Sequence, residues 1–135
     1  MKVSFDFDGT LSRKDVQDFA KELVNDGHEV WIVTSRFSDE SAKEKKWHWI
    51  EGQNQRLFDV AEECGIKKEN IQFTCMEPKF LFLEGKEFVF HLDDDDIELM
   101  DILQNNRLTS DECFPVHVEH FEWKETCKNI LKKSL

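Results

Sequence analysis

The sequence predicts an α/β fold, a three-layer sandwich in which helices cover both faces of a central, mostly parallel sheet. Two observations predict it. Short apolar runs typical of buried strands alternate along the chain with longer segments that have the apolar spacing of helices. This alternation is the pattern of βαβ units. With 135 residues the chain is long enough for one sizeable core, so we predict a single domain over 1–135.

The first two strands and the helix between them follow from local patterns. Residues 2–7 predict a short buried strand whose apolar residues are Val3, Phe5 and Phe7. Between 14 and 26 the apolar residues are spaced as on one face of a helix, and Asp26-Gly27 is a typical helix end. The run Glu-Val-Trp-Ile-Val-Thr over 29–34 predicts the second buried strand.

Three further elements are predicted in the middle of the chain. The highly charged segment 39–50 has a helical pattern, and so does the segment 54–64, which ends at Gly65. The stretch from Ile71 to Phe73 predicts a short third strand.

The last part of the chain continues the alternation. Residues 79–84 suit a short helix, and the run Glu-Phe-Val-Phe-His-Leu over 87–92 is a clear strand. A helix over 97–104, a strand over 115–118 and a helix over 121–133 complete a Rossmann-like arrangement.

Polar side chains follow three of the predicted strands, at the point where each strand ends. Asp6 and Asp8 end the first, Thr34 ends the second, and Asp93 follows the fourth. Ligands bind beyond the carboxyl ends of the strands in parallel sheets, so these side chains should meet in space. Asp6 and Asp8 are two apart and share one face of a strand, and Gly9 lets the backbone approach a ligand closely.

The aspartates predict a metal site. Asp6 and the run Asp93–Asp96 supply oxygen ligands, which suit Mg²⁺. Closely packed carboxylates are unfavourable unless a cation lies between them. Asp93 and Asp94 lie nearest the strand end and are the predicted ligands, whereas Asp95 and Asp96 are predicted to be solvated and to cap the helix that follows.

Composition narrows the classes of partner. The net charge of −11 argues against a broad nucleic-acid surface, which needs clustered Lys and Arg. No apolar run approaches the length of a membrane span and the N-terminus lacks a signal-peptide pattern, so we expect a cytoplasmic protein without a membrane partner. The four cysteines form no CxxC pair, which favours free thiols.

The hexapeptide Asp6-Phe7-Asp8-Gly9-Thr10-Leu11 resembles the first motif of the haloacid dehalogenase superfamily of phosphotransferases. The other three motifs can be matched in order. Thr34 resembles the second, Lys79 the third, and the pair Asp93-Asp94 the fourth. Lys86 is an alternative to Lys79, because it lies closer to the fourth strand. The resemblance covers roughly residues 1–105.

The resemblance implies a catalytic role for four residues. Asp6 would be the nucleophile that forms an aspartyl-phosphate, and Asp8 would protonate the leaving group and then activate water. Thr34 would hydrogen-bond a phosphoryl oxygen, and Lys79 would neutralise charge. A second Asp at position 8 is typical of the phosphatases and phosphomutases of the superfamily.

The resemblance also implies a Mg²⁺ cofactor. Its candidate ligands are Asp6, the carbonyl of Phe7, Asp8, Asp93 and Asp94. The register of the ligand pair within Asp93–Asp96 is left open by one residue.

The segments that carry a cap domain in the superfamily are short here. Residues 11–33 and 36–78 leave little room for a folded cap, which predicts an open site. Gly9, Ser35 and Arg36 are the candidate substrate-binding residues. Arg36 could hold a phosphate or a substrate carboxylate, or form a surface ion pair with Asp39 or Glu40.

Two tryptophans follow the second motif. The segment from Ser41 to Ile50 weakly resembles a helix with Lys and Trp in the cytosolic deoxyribonucleotidases. Trp47 or Trp49 could stack on a base; alternatively, one packs in the core and the other covers a helix.

Together these features predict an enzyme of the phosphatase class, a Mg²⁺-dependent phosphomonoester hydrolase. We expect a small phosphorylated substrate, and a nucleotide is one candidate. The alternatives are a phosphatase of a protein or a nucleic-acid end, and a non-catalytic member of the fold that binds a partner.

Overall fold

A sheet of five strands, all paired in parallel, forms the centre of the computed structural model, which describes residues 1–134. The strands are β1 (Lys2–Phe5), β2 (Glu29–Thr34), β3 (Ile71–Phe73), β4 (Phe88–Asp93) and β5 (Phe114–His117). Their order across the sheet is β3-β2-β1-β4-β5. The predicted α/β class and parallel sheet are therefore confirmed.

Helices cover both faces of this sheet, as the three-layer prediction requires. The helices are α1 (Lys14–Asn25), α2 (Asp39–Glu44), α3 (Gln55–Cys64), α4 (Phe80–Leu83), α5 (Asp96–Leu108) and α6 (Trp123–Lys133). Helices α1, α3 and α6 pack on one face, and α4 and α5 on the other.

The core is unequal on the two faces. The larger cluster joins α1, α3 and α6 to the sheet, and Phe5 lies at its centre, with ring centroids 6.2 Å from Phe19 and 5.8 Å from Phe90. The smaller cluster, on the side of α4 and α5, includes Leu83 and Ile102. Alternate residues of each strand point to opposite faces, so the apolar residues of β1 serve the larger cluster and leave Ser4 on the other face.

Three predicted boundaries are corrected by the structure. The helix predicted over 39–50 ends at Glu44, because Lys46 has a left-handed φ of 58°, and only a short 3₁₀ turn follows at His48–Ile50. The first strand ends at Phe5, where the chain enters a turn over Phe7–Leu11. Helix α5 runs to Leu108, four residues beyond the predicted end.

The segments expected to be too short for a cap are accounted for by elements of the sandwich. Between β1 and β2 lie the turn and α1, and residues 36–78 contain α2, α3 and β3. All four cysteines are free thiols, as predicted. Within residues 1–134, every helix is too short or too polar to cross a bilayer.

Candidate active site

The candidate site lies where the order of the strands reverses. The chain moves outward from β1 to β2 and β3, then returns to place β4 on the other side of β1. Such a switch point opens a crevice at the carboxyl ends of the strands. The Asp6 N–H donates to the Leu92 carbonyl at 2.9 Å, which brings Asp6 beside Asp93.

Lys79 joins these two aspartates in a buried ion-pair network. Its Nζ lies 2.8 Å from Oδ1 of Asp6 and 2.7 Å from Oδ2 of Asp93, and the three side chains are only 2%, 6% and 0% exposed. Burial alone would lower the pKa of Lys79, but the two carboxylates outweigh it and raise that pKa, so the ammonium stays charged. Lys86 is exposed and contacts Phe82, so Lys79 is the lysine that reaches the site.

When no cation is present, the surroundings of Asp6 favour the protonated form of its carboxyl group. Burial raises its pKa to about 8, since the charge on Asp93 adds to desolvation and Lys79 offsets only part of it. Its other oxygen, Oδ2, accepts a hydrogen bond from the Thr10 hydroxyl at 3.1 Å. Thr10 is a site residue that the sequence reasoning did not assign, although it lies within the hexapeptide motif.

Asp93 has no free acceptor position. Its Oδ1 accepts from the N–H groups of Asp94 and Asp95, at 2.8 and 3.0 Å. Its Oδ2 accepts from Lys79 and also contacts His91 Nε2 at 2.7 Å. Burial opposes the charge on Asp93, but the hydrogen bond from His91 and the charge of Lys79 outweigh it, so the pKa of Asp93 is lowered. Asp93 is therefore an ionised anchor whose lone pairs are all engaged.

Behind Asp93 the network continues into the sheet. His91 is fully buried, and burial lowers its pKa. A neutral ring that donates from Nε2 to Asp93 has an acceptor at Nδ1, and the Ser4 hydroxyl lies 2.7 Å from that atom. The sequence reasoning missed this link. The available signal was the spacing, because His91 and Asp93 are two apart and share one face of β4.

Asp94 supplies the third carboxylate of the cluster. Oxygens of Asp6, Asp93 and Asp94 lie within 4.8 Å of one another, and only Asp94 is exposed. Gly9 makes room for it, because a Cβ at Gly9 would collide with an Asp94 carboxylate oxygen, and the Gly9 φ of 75° disfavours any side chain.

The remaining aspartates of the run behave as the cap prediction expected. Asp95 is the N-cap of α5, and its Oδ1 accepts from Ile97 N–H at 2.9 Å and Glu98 N–H at 3.2 Å. Asp96 is exposed and lies 2.9 Å from His117. The run thus divides by role, with Asp93 and Asp94 in the cluster and the next two residues at the helix start.

The loop after β2 brings the second motif and Arg36 to the same edge. Thr34 is buried, and its Oγ1 accepts from the Arg36 N–H at 3.2 Å, which leaves its hydroxyl proton free to donate. The Ser35 carbonyl accepts from the Met76 N–H at 2.8 Å. The Phe7 carbonyl accepts from the Ser12 N–H at 3.0 Å, so one of its two lone pairs is engaged.

Arg36 pairs with Asp8, which lies 28 positions away in the sequence. Its Nε and Nη2 are 2.8 and 2.7 Å from the two Asp8 oxygens. The alternative of a surface pair with Asp39 or Glu40 is therefore wrong. Asp8 and Arg36 lie at the mouth of the site, with side-chain exposures of 58% and 24%.

The two tryptophans lie outside the core. Trp47 is half-buried against Phe37, with ring centroids 5.0 Å apart, and Trp49 is 75% exposed. The alternative that one of them packs in the core is wrong. The base-stacking alternative stays a prediction.

A large groove lies away from this site. It has a volume of about 1380 Å³ and lies at the opposite edge of the sheet, near Lys2, Phe88 and Phe114. None of the residues that form the candidate site lines it, although Lys86 does, and we assign it no chemistry.

Comparison of the chain with family models, with curated proteins and with solved structures gave no match.

Proposed function

We propose that this protein is a Mg²⁺-dependent phosphomonoester hydrolase of the haloacid dehalogenase type that forms an aspartyl-phosphate on Asp6. The observation that carries the proposal is the buried Asp6 carboxylate at the switch point, paired with Lys79 and adjacent to two further carboxylates. Phosphoryl transfer requires positioning and charge neutralisation more than elaborate covalent machinery. Both requirements are met by groups that this site holds.

A divalent cation fits the charge of the cluster. With all three carboxylates ionised, the ammonium of Lys79 offsets one of three negative charges and leaves two, because the pKa of His91 is lowered and its ring adds no charge. Asp6, Asp94 and the free lone pair of the Phe7 carbonyl are candidate ligands for the ion. Asp93 is a further candidate, which would have to exchange one of its present hydrogen bonds for the ion. When bound, Mg²⁺ supplies charge neutralisation for the phosphoryl group.

Asp6 then acts as the nucleophile. One of its oxygens bonds to phosphorus while the bond from phosphorus to the leaving oxygen breaks. Thr34 donates its free hydroxyl proton to a phosphoryl oxygen, and Lys79 balances the negative charge that remains on the transferred group. These groups are buried and already in position, which limits reorganisation during the reaction.

Asp8 moves the protons. It donates one to the leaving oxygen in the first step and takes one from the attacking water in the second. Water bonds to phosphorus as the bond to Asp6 breaks, which releases inorganic phosphate and restores the carboxylate. The side chain of Asp8 is 58% exposed, which supports a role in proton exchange with the leaving group and water.

Turnover of p-nitrophenyl phosphate by the full chain tests the proposal. We expect Mg²⁺-dependent hydrolysis that EDTA stops and Asp6→Asn abolishes. Asp95→Asn is the matched control, since Asn also caps helices and Asp95 lies outside the cluster, so this variant should keep its activity. Acid quenching should trap phosphate on Asp6. Hydrolysis that survives Asp6→Asn, or that needs no metal, would overturn the proposal.

One observation favours a second candidate, a phosphatase of phosphorylated proteins. The segments that follow β2, β3, β4 and β5 each carry a highly exposed apolar side chain: Trp49, Met76, Ile97 and Phe121. Exposed apolar side chains on the segments that follow the strands, together with an acidic centre, suit a polypeptide substrate. A comparison of phosphopeptides with small phosphomonoesters distinguishes the two candidates by kcat/KM.

A further inference from the structure

The ion pair between Asp8 and Arg36 engages both oxygens of the residue that must handle protons. Arg36 Nε and Nη2 each donate to a different Asp8 oxygen, at 2.8 and 2.7 Å. This is the bidentate geometry in which guanidinium groups bind carboxylates most strongly. In this conformation Asp8 has its charge matched by Arg36 and not by a substrate.

Of the two partners, Arg36 is the fixed one. Its Nη1 donates to the Gln53 carbonyl at 2.7 Å and to Asn54 Oδ1 at 3.4 Å, and its guanidinium lies 5.1 Å from the centroid of the Phe7 ring. Asn54 is itself buried and donates to the Phe37 carbonyl and to Asp39. Asp8, in contrast, is more than half exposed, and Arg36 is its one charged partner among residues 1–134.

Turnover requires this pair to change. Asp8 must carry a proton before it can donate one to the leaving oxygen, and a neutral carboxyl group no longer balances the charge of Arg36. The guanidinium would then lose its counter-ion while it remains three-quarters covered. A replacement anion removes that penalty, and the anion that matches the present geometry is a second carboxylate.

We propose that Arg36 is a specificity-determining residue that binds a carboxylate on the leaving group of the substrate and thereby releases Asp8. The inference rests on the proposed hydrolase function. The carboxylate belongs to the leaving group because Arg36 lies beside Asp8, whereas Lys79 and Thr34 hold the side where the phosphoryl group binds. The substrate class is therefore a phosphomonoester of a hydroxycarboxylic acid.

A matched pair of substrates tests the inference. The phosphate ester of 3-hydroxypropanoate carries the carboxylate. The phosphate ester of 3-hydroxypropanamide has nearly the same shape but lacks the carboxylate charge. For the wild-type protein with Mg²⁺ we expect kcat/KM to favour the acid by about tenfold, the size of a partly exposed charge-assisted pair. Arg36→Gln should lower this ratio by about tenfold, and Arg36→Lys should keep part of it.

Arg13→Gln is the control variant. Arg13 is also a partly exposed arginine with a bidentate aspartate partner, Asp15, but it lies outside the site. Its removal should leave the ratio unchanged. Calorimetric binding of both esters to Asp6→Asn protein gives a second readout that needs no turnover, and Arg36→Gln in that background should remove the preference for the acid.

The outcomes separate the inference from the function on which it rests. If the wild-type protein hydrolyses p-nitrophenyl phosphate but does not discriminate between the esters, the role of Arg36 is refuted and the hydrolase stands. An equal loss for both esters in Arg36→Gln means that Arg36 binds the phosphoryl group or orders the loop, and either result also refutes the role. If no phosphomonoester is hydrolysed, both proposals fall together.

Discussion

Replacing Asp6, the proposed nucleophile, should stabilise the metal-free protein at neutral and alkaline pH. Asp6→Asn keeps the shape of the side chain but removes a buried carboxylate whose pKa is raised to about 8. A raised carboxyl pKa means that the folded state binds the proton more tightly than the unfolded state does. The wild-type protein therefore loses stability as the pH rises from about 4 to about 8, and the Asn variant lacks this loss.

The size of this pH-dependent difference in the free energy of unfolding follows from the pKa of Asp6. Each unit corresponds to about 1.4 kcal/mol, so between pH 5 and pH 8 the free energy of unfolding of the variant should rise by about 4 kcal/mol relative to wild type. For a chain of 135 residues the unfolding entropy is about 0.28 kcal/mol per degree, which makes this a relative change in Tm of roughly 10–15 °C. Any constant cost from a weaker contact with Lys79 cancels in this comparison.

Thermal unfolding followed by circular dichroism in EDTA, from pH 5 to pH 8, measures the effect. Asp59→Asn is the control for loss of one negative charge from a protein of net charge −11, because Asp59 is exposed on α3. Its Tm relative to wild type should vary little with pH. If the Tm of Asp6→Asn also runs parallel to wild type across this range, the raised pKa of Asp6 is refuted.

Three further substitutions test separate parts of the site. Lys79→Met leaves the carboxylates of Asp6 and Asp93 without their cationic partner and should lower the free energy of unfolding in EDTA by about 3–5 kcal/mol. Mg²⁺ should recover part of this loss. If urea denaturation shows no loss, the ion-pair network is contradicted. Ser4→Ala removes the partner of His91 Nδ1 and should cost about 1–3 kcal/mol in the same assay, whereas no change would mean that this contact is dispensable. Gly9→Ala introduces a clash with Asp94 and an unfavourable φ, so the Mg²⁺ concentration needed for half-maximal stabilisation should rise; an unaltered titration would separate Asp94 from the metal.

The strands and the meeting of their polar ends could be predicted because both depend on local patterns. Apolar runs define β2 and β4, and parallel strands place their carboxyl ends at one edge of the sheet. The strand order was not predictable from these patterns, because no local sequence pattern determines on which side of β1 the strand β4 pairs. That return places Asp93 beside Asp6.

Contacts between distant residues explain what the sequence left open. Lys79 and Lys86 both precede β4, and only the course of the chain around α4 directs Lys79 inward and leaves Lys86 exposed. Arg36 has acidic neighbours in sequence, yet its partner is Asp8, which the fold brings across from the turn after β1. The link between His91 and Asp93 was detectable from their spacing, but an imidazole within a strand is usually only part of the core.

The row of polar groups from Ser4 to Lys79 lies on the sheet face where the apolar cluster is small. On this face, packing against the sheet is stabilised by charged hydrogen bonds as well as by burial of apolar side chains. The face covered by α1, α3 and α6 is stabilised mainly by apolar burial. The two halves of the molecule should consequently open independently. Amide hydrogen exchange in α4 and α5 should slow when a divalent ion binds, while exchange in α1 and α6 stays constant. Binding of the ion would then reduce local opening in one helical layer only.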